Sequence, residues 1–454
     1  MYLQKISMEN YRSFHKSDLE FSKITLLLGP NSGGKTSIIS SLLSALQSDG
    51  FPNYLSLNGQ LVETGDYREV ISSHDVRKNL SIGIDFIYGN DSAPKFFSAK
   101  GVYSRDNETS MPVLQSAFVR DEEIHWSAYK FRSKYKVEWS YFPEKDHANE
   151  LRKDNPELMV ALEKMLISMA DSLKNENPKK KNSPNLIVDS EEMPIRGSYE
   201  ADLPSILGTG IAENVWAGVS ISQSISAFKR FRERFSYIGS HRFAPQRTYY
   251  HMVGSDLRVG VCGQNSIEQV IAWKNAKNKK LLELAVVMKK LGLATNIAAS
   301  KLAGGRFEVR INVPGSKVSS SIADVGFGVN QILPVLVAEL QLPKRSTVAV
   351  SQPETHLHPK VQAELISHFV ERVKGDGFRY IIETHSEYMI NRLRRLIRKG
   401  DISQGDVSVY YVEPSSAGAS VHRIVFERNG KISGAPKGFF DTYQVDVMNI
   451  ALQR

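Results

Sequence analysis

A single cysteine, Cys262, is the only thiol in 454 residues, which excludes an intrachain disulfide framework and any cysteine-rich metal site. No stretch approaches the roughly 18 consecutive apolar residues of a membrane-spanning helix. The opening MYLQKISMENYRSF has no apolar core followed by a small-residue cleavage site, so no secretory signal is expected. Acidic residues are in the minority: 49 Asp and Glu against 58 Lys and Arg give a formal net charge of +9. That balance suits a nucleic-acid or acidic protein partner, and equally a basic protein with neither. These absences point to the cytoplasm and no membrane partner, with DNA or RNA contact left open. No internal repeat is present.

The composition is that of an ordinary globular protein, 41% hydrophobic and 24% charged. The length implies about two or three compact units. Ile24 to Leu28 is an apolar run suited to a buried strand, and Ser37 to Leu46 places Ile38, Ile39, Leu42, Leu43 and Leu46 at helical spacing. Alternation from Leu80 to about Tyr141 predicts antiparallel strands. His147 to Leu173 reads as a charged helix and Lys174 to Asn185 as a polar loop carrying Lys179, Lys180 and Lys181. Ser205 to Phe235 reads as a second helical region and Ser266 to Leu293 as one helix with a basic face. Strands are expected at Phe307–Val313, Thr347–Val350, Tyr380–Ile382, Ser408–Val412 and His422–Glu427. Helices are expected at Gly328–Leu340, Pro359–Val373 and Tyr388–Lys399. Strands alternating with helices imply a mainly parallel sheet. The expected division is residues 1–145 as the first part of the nucleotide-binding domain with an antiparallel lobe. Residues 146–300 form an inserted, mainly helical region, and residues 301–454 the second part with a short terminal module.

Gly29-Pro30-Asn31-Ser32-Gly33-Gly34-Lys35-Thr36 matches G-x-x-x-x-G-K-[ST], between an apolar strand and an apolar-striped helix that begins with Ser37. Glycines let successive backbone N–H groups turn toward phosphate oxygens. Lys35 supplies a point charge for the β- and γ-phosphates, and the Thr36 hydroxyl is placed to ligate Mg²⁺. The expected cofactors are ATP and Mg²⁺. A second apolar strand leads into Ser351-Gln352-Pro353-Glu354 and His356-Leu357-His358-Pro359, and a third into Glu383-Thr384-His385-Ser386. Before both lies Asp324-Val325-Gly326-Phe327-Gly328-Val329-Asn330-Gln331, a glycine-containing turn opening a helix.

The order and spacing of these motifs resemble the ABC-type ATPases of the OLD and RecF/SMC-like class. Stand-alone bacterial ATPases of anti-phage defence, of the Septu, PARIS and retron-associated kind, share the likeness. It rests on ENYRSF, GPNSGGKTS, Ser240-His241-Arg242-Phe243-Ala244-Pro245, DVGFGVNQILPVL, PETHLHP, ETHSEYMINRL and the tail Gly430 to Asn449 with APKGFFD. The resemblance implies an α/β fold: an ABC-type P-loop domain with an antiparallel β subdomain. It implies nucleotide held between two protomers, the P-loop of one facing the Gly326-to-Gln331 turn of the other (Gly326, Phe327, Gly328, Val329, Asn330, Gln331), in at least a homodimer. It implies that His385 senses the γ-phosphate. OLD nucleases carry a Toprim domain after these motifs, and the 68 residues after Ser386 are too few for one. A separate effector, such as a nuclease, is therefore the expected partner.

Three positions depart from the class. Ser351 stands where an acidic metal ligand is usual, and Gln352 where a glutamate polarises the attacking water. Gly326 stands where the signature turn usually has serine. An amide orients water but cannot accept its proton. Glu354 and Glu383 are the carboxylates near enough in sequence to compensate. The other reading is that Glu354 only anchors its loop and hydrolysis is very slow, leaving a scaffold or DNA-binding module. A RecF/SMC-like DNA-repair ATPase is a further alternative. His356 and His358 lack a third ligand at matching spacing and read as structural. Arg242 and Arg247 read either as ion-pair residues or as contacts to nucleotide or partner.

Overall fold

Apolar runs of five residues decide where the sheet carrying the P-loop lies. Ile24–Leu28 and Thr347–Ser351 are buried at every position, as expected of parallel strands covered on both faces. The computed structural model describes residues 1–90, 93–121, 124–132, 134–141, 185–188, 195–201, 226, 228–250, 258–416, 418–436 and 439. The His147–Leu173 helix, nearly all of the 174–185 loop and most of the Ser205–Phe235 region lie outside these residues.

In chain order the strands are β1 (Tyr2–Tyr11), β2 (Phe14–Glu20), β3 (Ile24–Leu28), β4 (Leu80–Asn90), β5 (Ala93–Arg105), β6 (Pro112–Asp121) and β7 (Ile124–Phe131). Then come β8 (Lys134–Tyr141), β9 (Asn185–Val188), β10 (Ile195–Ala201), β11 (Phe235–Ile238), β12 (Tyr249–Tyr250), β13 (Asn296–Lys301) and β14 (Arg306–Asn312). The last are β15 (Ser319–Ser321), β16 (Thr347–Ser351), β17 (Arg379–Glu383), β18 (Val407–Ser415), β19 (Gly418–Phe426) and β20 (Ile432–Ser433). The labelled helices are α1 (Lys35–Gln47), α2 (Tyr67–Val70), α3 (Ser266–Asn275), α4 (Lys280–Lys290), α5 (Phe327–Gln341), α6 (Pro359–Asp376) and α7 (Glu387–Lys399).

The chain forms two compact units. One comprises Leu3–Leu19 and Ser40–Phe231 with Met1, the other Glu20–Ile39 and Arg232–Arg454 with Tyr2. The first contains a nine-stranded sheet in the order β2-β1-β4-β5-β6-β7-β8-β10-β9. Its strands from β4 onward pair antiparallel, as the alternation of Leu80, Ile82, Ile84 and Phe86 predicts. Phe86 is fully buried and packs its ring against Phe97, Phe228 and Phe231. Within residues 146–300 the described residues include strands β9 to β13 as well as helices.

The second unit is built on a seven-stranded sheet, β11-β16-β17-β3-β18-β19-β20. β11, β16, β17, β3 and β18 run parallel, and β19 and β20 are antiparallel additions. The chain's early strand β3 thus sits between the late strands β17 and β18, so the sheet is assembled from both ends of the sequence. A smaller sheet, β12-β14-β13 with β15 on β14, completes the unit. One core runs through it, with Leu26, Ile332, Val350, Phe369, Ile382 and Leu393 all buried.

Local signals set the helix ends. α6 has Pro at its first position and His358 as N-cap, whose side chain accepts from the Lys360 N–H. α7 is capped by Ser386, whose hydroxyl accepts from the Met389 N–H at 3.1 Å, and stops at Gly400, φ 77°. The single helix expected over Ser266–Leu293 is two helices. Lys277 between α3 and α4 adopts φ 51°, a left-handed conformation that ends α3 before Asn278.

Candidate nucleotide site

The P-loop links β3 to α1. Gly29 adopts φ 135° and Gly34 φ 108°, conformations open to glycine, and Ser32 adopts φ 60°. Gly29 and Gly33 are also fixed by a neighbour. A Cβ on Gly29 would overlap the Val412 carbonyl oxygen of β18, and one on Gly33 would come within 2.6 Å of the same atom. Pro30, Asn31 and Ser32 are exposed, and Ser37 is buried behind them. Lys35 is buried, and its Nζ donates to the carbonyls of Gly29 (3.0 Å) and Pro30 (2.7 Å). Burial lowers its pKa, opposed by the charges of Glu383 and Glu354.

Parallel register brings the missing acid back. Ser351, last residue of β16, is the partner of Glu383, last residue of β17. The Ser351 hydroxyl donates to Glu383 Oε2 at 2.8 Å. Thr36 Oγ1 donates to Glu383 Oε1 at 3.0 Å and lies 3.3 Å from Oε2. The carboxylate on β17 therefore meets the P-loop threonine directly, although its strand neighbour on β16 is a serine. Tyr237, near the end of β11, lies hydroxyl to hydroxyl with Ser351 at 3.2 Å. Gln352 turns the chain at φ 47°, and its N–H donates to the Glu383 carbonyl at 2.7 Å.

Glu354 is held differently. One oxygen, Oε1, accepts from the His385 N–H at 2.7 Å. The other, Oε2, is buried without a hydrogen-bond partner among the described residues. Burial raises its pKa, against the pull of that backbone donor, of the nearby Thr384 hydroxyl and of the Arg242 charge. His385 is exposed, and its pKa is lowered by partial burial and by Lys35, with Glu383 acting in the opposite sense. Gln352, Glu354, Glu383 and His385 thus share one end of the parallel sheet with Lys35 and Thr36.

Arg242 and Arg247 separate. Arg242 is buried, donates to the Ser351 carbonyl at 2.6 Å and reaches Gln331 Oε1 at 3.4 Å. It ties the end of β16 to the first turn of α5, and burial lowers its pKa to about 10. Arg247 makes an exposed bidentate pair with Asp324 at 2.7 and 2.8 Å. The signature turn is exposed at Gly326 and at Phe327, which is 66% exposed, and turns inward at Val329, Asn330 and Gln331. A Cβ on Gly328 would lie 2.8 Å from the His356 carbonyl oxygen, so the turn packs on the loop that carries His356. The His356 ring lies 5.6 Å from that of Phe327, tilted by 39°, and His358 is the α6 cap.

The donor set fits Mg²⁺ held together with phosphates. Thr36 hydroxyl and Glu383 carboxylate are hard oxygen ligands, and Mg²⁺ commonly takes one or two carboxylates plus substrate phosphate oxygens. Among the described residues no cluster of three or more His, Cys, Asp or Glu could hold a metal without them. No described helix is long and apolar enough to cross a membrane.

Sequence reasoning named Glu383 and Glu354 without dividing their roles, and it did not find Tyr237 or Val412. The only sequence trace of Tyr237 is its place near the end of an apolar strand, and Val412 enters through backbone alone.

No curated protein matches the chain. Among solved structures it is similar to the SMC head domain from Thermotoga maritima, at 11% identity over 93% of this chain and 98% of that one, with a TM-score of 0.38. It is similar to the Smc head domain with an extended coiled coil bound to the C-terminal domain of ScpA, derived from Pyrococcus furiosus, at 10% identity, 100% of both chains and a TM-score of 0.40. It is also similar to the SmcHead bound to the C-winged helix domain of ScpA, at 11% identity, 94% and 99% coverage and a TM-score of 0.44. A family of proteins of unknown function, DUF3696, matches residues 402–450. The AAA ATPase domain family, AAA_15, matches residues 1–390, and the chain belongs to it.

Proposed function

We propose that the chain is a Mg²⁺-dependent ATPase of low turnover, with a nucleotide site completed by a second copy. The observation that carries this reading is the Glu383 carboxylate, 3.0 Å from the Thr36 hydroxyl. In this reading Thr36 and Glu383 would hold Mg²⁺, which would supply positive charge against the phosphates. Lys35 leaves its loop carbonyls for the phosphates. Glu354, with one buried oxygen unpartnered, accepts a proton from the attacking water, because its raised pKa brings it toward the working pH. Gln352 orients water without taking its proton, and His385 donates to the γ-phosphate.

The exposed start of α5 at Gly326 and Phe327 supports a second copy closing the site, since helix N-termini attract phosphate. ATP then joins protomers and hydrolysis releases them. The motif resemblance supports a role as a nucleotide-dependent switch in the bacterial cytoplasm. It would control a separate effector, such as a nuclease, in anti-phage defence. Ser351 and Gln352 support a second reading, a scaffold that binds ATP without turnover.

Sedimentation with and without ATP tests the composite site. ATP is expected to drive wild-type chains into dimers, and neither Lys35→Ala nor Phe327→Asp should dimerise. ATP binding with no association would sink the two-copy reading.

A further inference from the structure

A cavity of about 200 Å³ opens beside α5, away from the carboxylates of the nucleotide site. Its walls include Phe243, Tyr249, Glu268, Asn330, Leu333 and Pro334. It is below the roughly 300–1,000 Å³ of sites for whole cofactors or drug-sized ligands, so it has room for one side chain or a molecule of that size.

Its chemistry is one-sided. Asn330 is only 7% exposed, and its Oδ1 is buried with no hydrogen-bond partner among the described residues. A buried unpaired carbonyl is costly, and a donor in the cavity would recover that cost. The Glu268 side chain makes no hydrogen bond or ion pair among the described residues. Among the described residues, no Lys or Arg lines the cavity. The arginines of the adjoining segment are engaged elsewhere: Arg242 with the Ser351 carbonyl, Arg247 with Asp324, and Arg258 with the carbonyls of Arg232, Glu233 and Phe235. Tyr249 stays a neutral phenol, because burial pushes its pKa up to about 12, and its oxygen accepts the Gln246 N–H. Phe243, 57% exposed, adds a second ring at the wall. Two oxygen acceptors, one of them charged, together with aromatic rings are what a guanidinium or ammonium group binds.

We propose that this cavity is a binding site for a single guanidinium or ammonium group, held by Glu268 and the Asn330 Oδ1 between Phe243 and Tyr249. The cation comes either from an arginine or lysine side chain of a protein partner or from a free small diamine or guanidine. Asn330 lies in the first turn of α5, so occupancy fixes the turn that begins at Gly326.

Calorimetric titration of the full chain with agmatine, and separately with an N-acetyl-arginine-containing tripeptide amide, tests this. Saturable binding of one equivalent is expected. Glu268→Gln should weaken it at least tenfold while ATP binding is retained, and Asn330→Leu should weaken it by a similar factor with a melting temperature no lower than that of the wild type. Glu283→Gln, on the exposed face of α4, should leave it unaltered. Peptide binding at least tenfold tighter than agmatine identifies a protein side chain as the occupant, and equal or tighter agmatine binding identifies a free cation. No saturable binding of either probe, or binding that Glu268→Gln leaves unchanged, overturns the proposal.

Discussion

The two ends of the nucleotide site obey different constraints. At the end of β3, the phosphate cradle is made of backbone, and each position is dictated: Gly29 and Gly33 have no room for a Cβ against the Val412 carbonyl. At the ends of β16 and β17, the proposed reading asks only that a carboxylate reach Thr36. A strand partner in register can supply it, so Ser351 stands where an acid is usual and Glu383 reaches across. In the proposed reading the phosphate cradle depends on glycines at fixed chain positions, while the carboxylate beside Thr36 comes from β17, the strand neighbour of β16.

The contrast is most sharply broken by separating the two carboxylates. Glu354→Gln is expected to lower kcat by about 10²–10⁴-fold, the usual worth of a general base, with ATP affinity and Mg²⁺ requirement retained. Glu383→Gln should instead raise the Mg²⁺ concentration needed for half-maximal activity. Steady-state phosphate release across a Mg²⁺ series reads both, and identical behaviour of the two variants would dissolve the division of roles. Next in size, Lys35→Ala removes a buried charge and should weaken ATP binding by about 2–5 kcal/mol, measured by calorimetry. Ser351→Ala removes one hydroxyl from Glu383 and should cost about 0.5–1.5 kcal/mol in kcat/KM, close to tenfold at most. Gln352→Ala should cost less than that, because no proton passes through the amide.

A stability measurement sharpens the same point. Glu354 in the folded chain has a pKa raised above its unfolded value. The folded state then binds a proton that the unfolded state has lost, so this residue's contribution to stability falls as pH rises from the unfolded pKa through the folded one. Without nucleotide, Glu354→Gln should melt higher than wild type at pH 7, and the two curves should converge toward pH 4. The smallest effect is expected at Arg247→Ala. Its pair with Asp324 is exposed and worth about 0–1 kcal/mol, so melting should barely move.

Much of this was legible in the sequence wherever local chemistry decides. The P-loop, the buried runs of β3 and β16, the alternation of β4 and the capped helices α6 and α7 follow from neighbours in the chain. The break between α3 and α4 was not, because Lys277 adopts its left-handed turn without a glycine or proline to announce it. The roles of Glu354 and Glu383 were not separable either. They depend on the Ser351–Glu383 register and on which carboxylate oxygen is left without a donor, and both are properties of strands brought together from distant parts of the chain. Arg242 looked like Arg247 in sequence, and only burial set one against the Ser351 carbonyl and left the other at the surface.

The most direct test of the relocated acid is single-turnover hydrolysis of ATP by the wild-type chain and by Glu383→Gln, with Mg²⁺ varied. Phosphate release by the wild type that follows Mg²⁺, and that in Glu383→Gln recovers only at higher Mg²⁺, is the predicted result. Release with the same Mg²⁺ dependence in both proteins would contradict it.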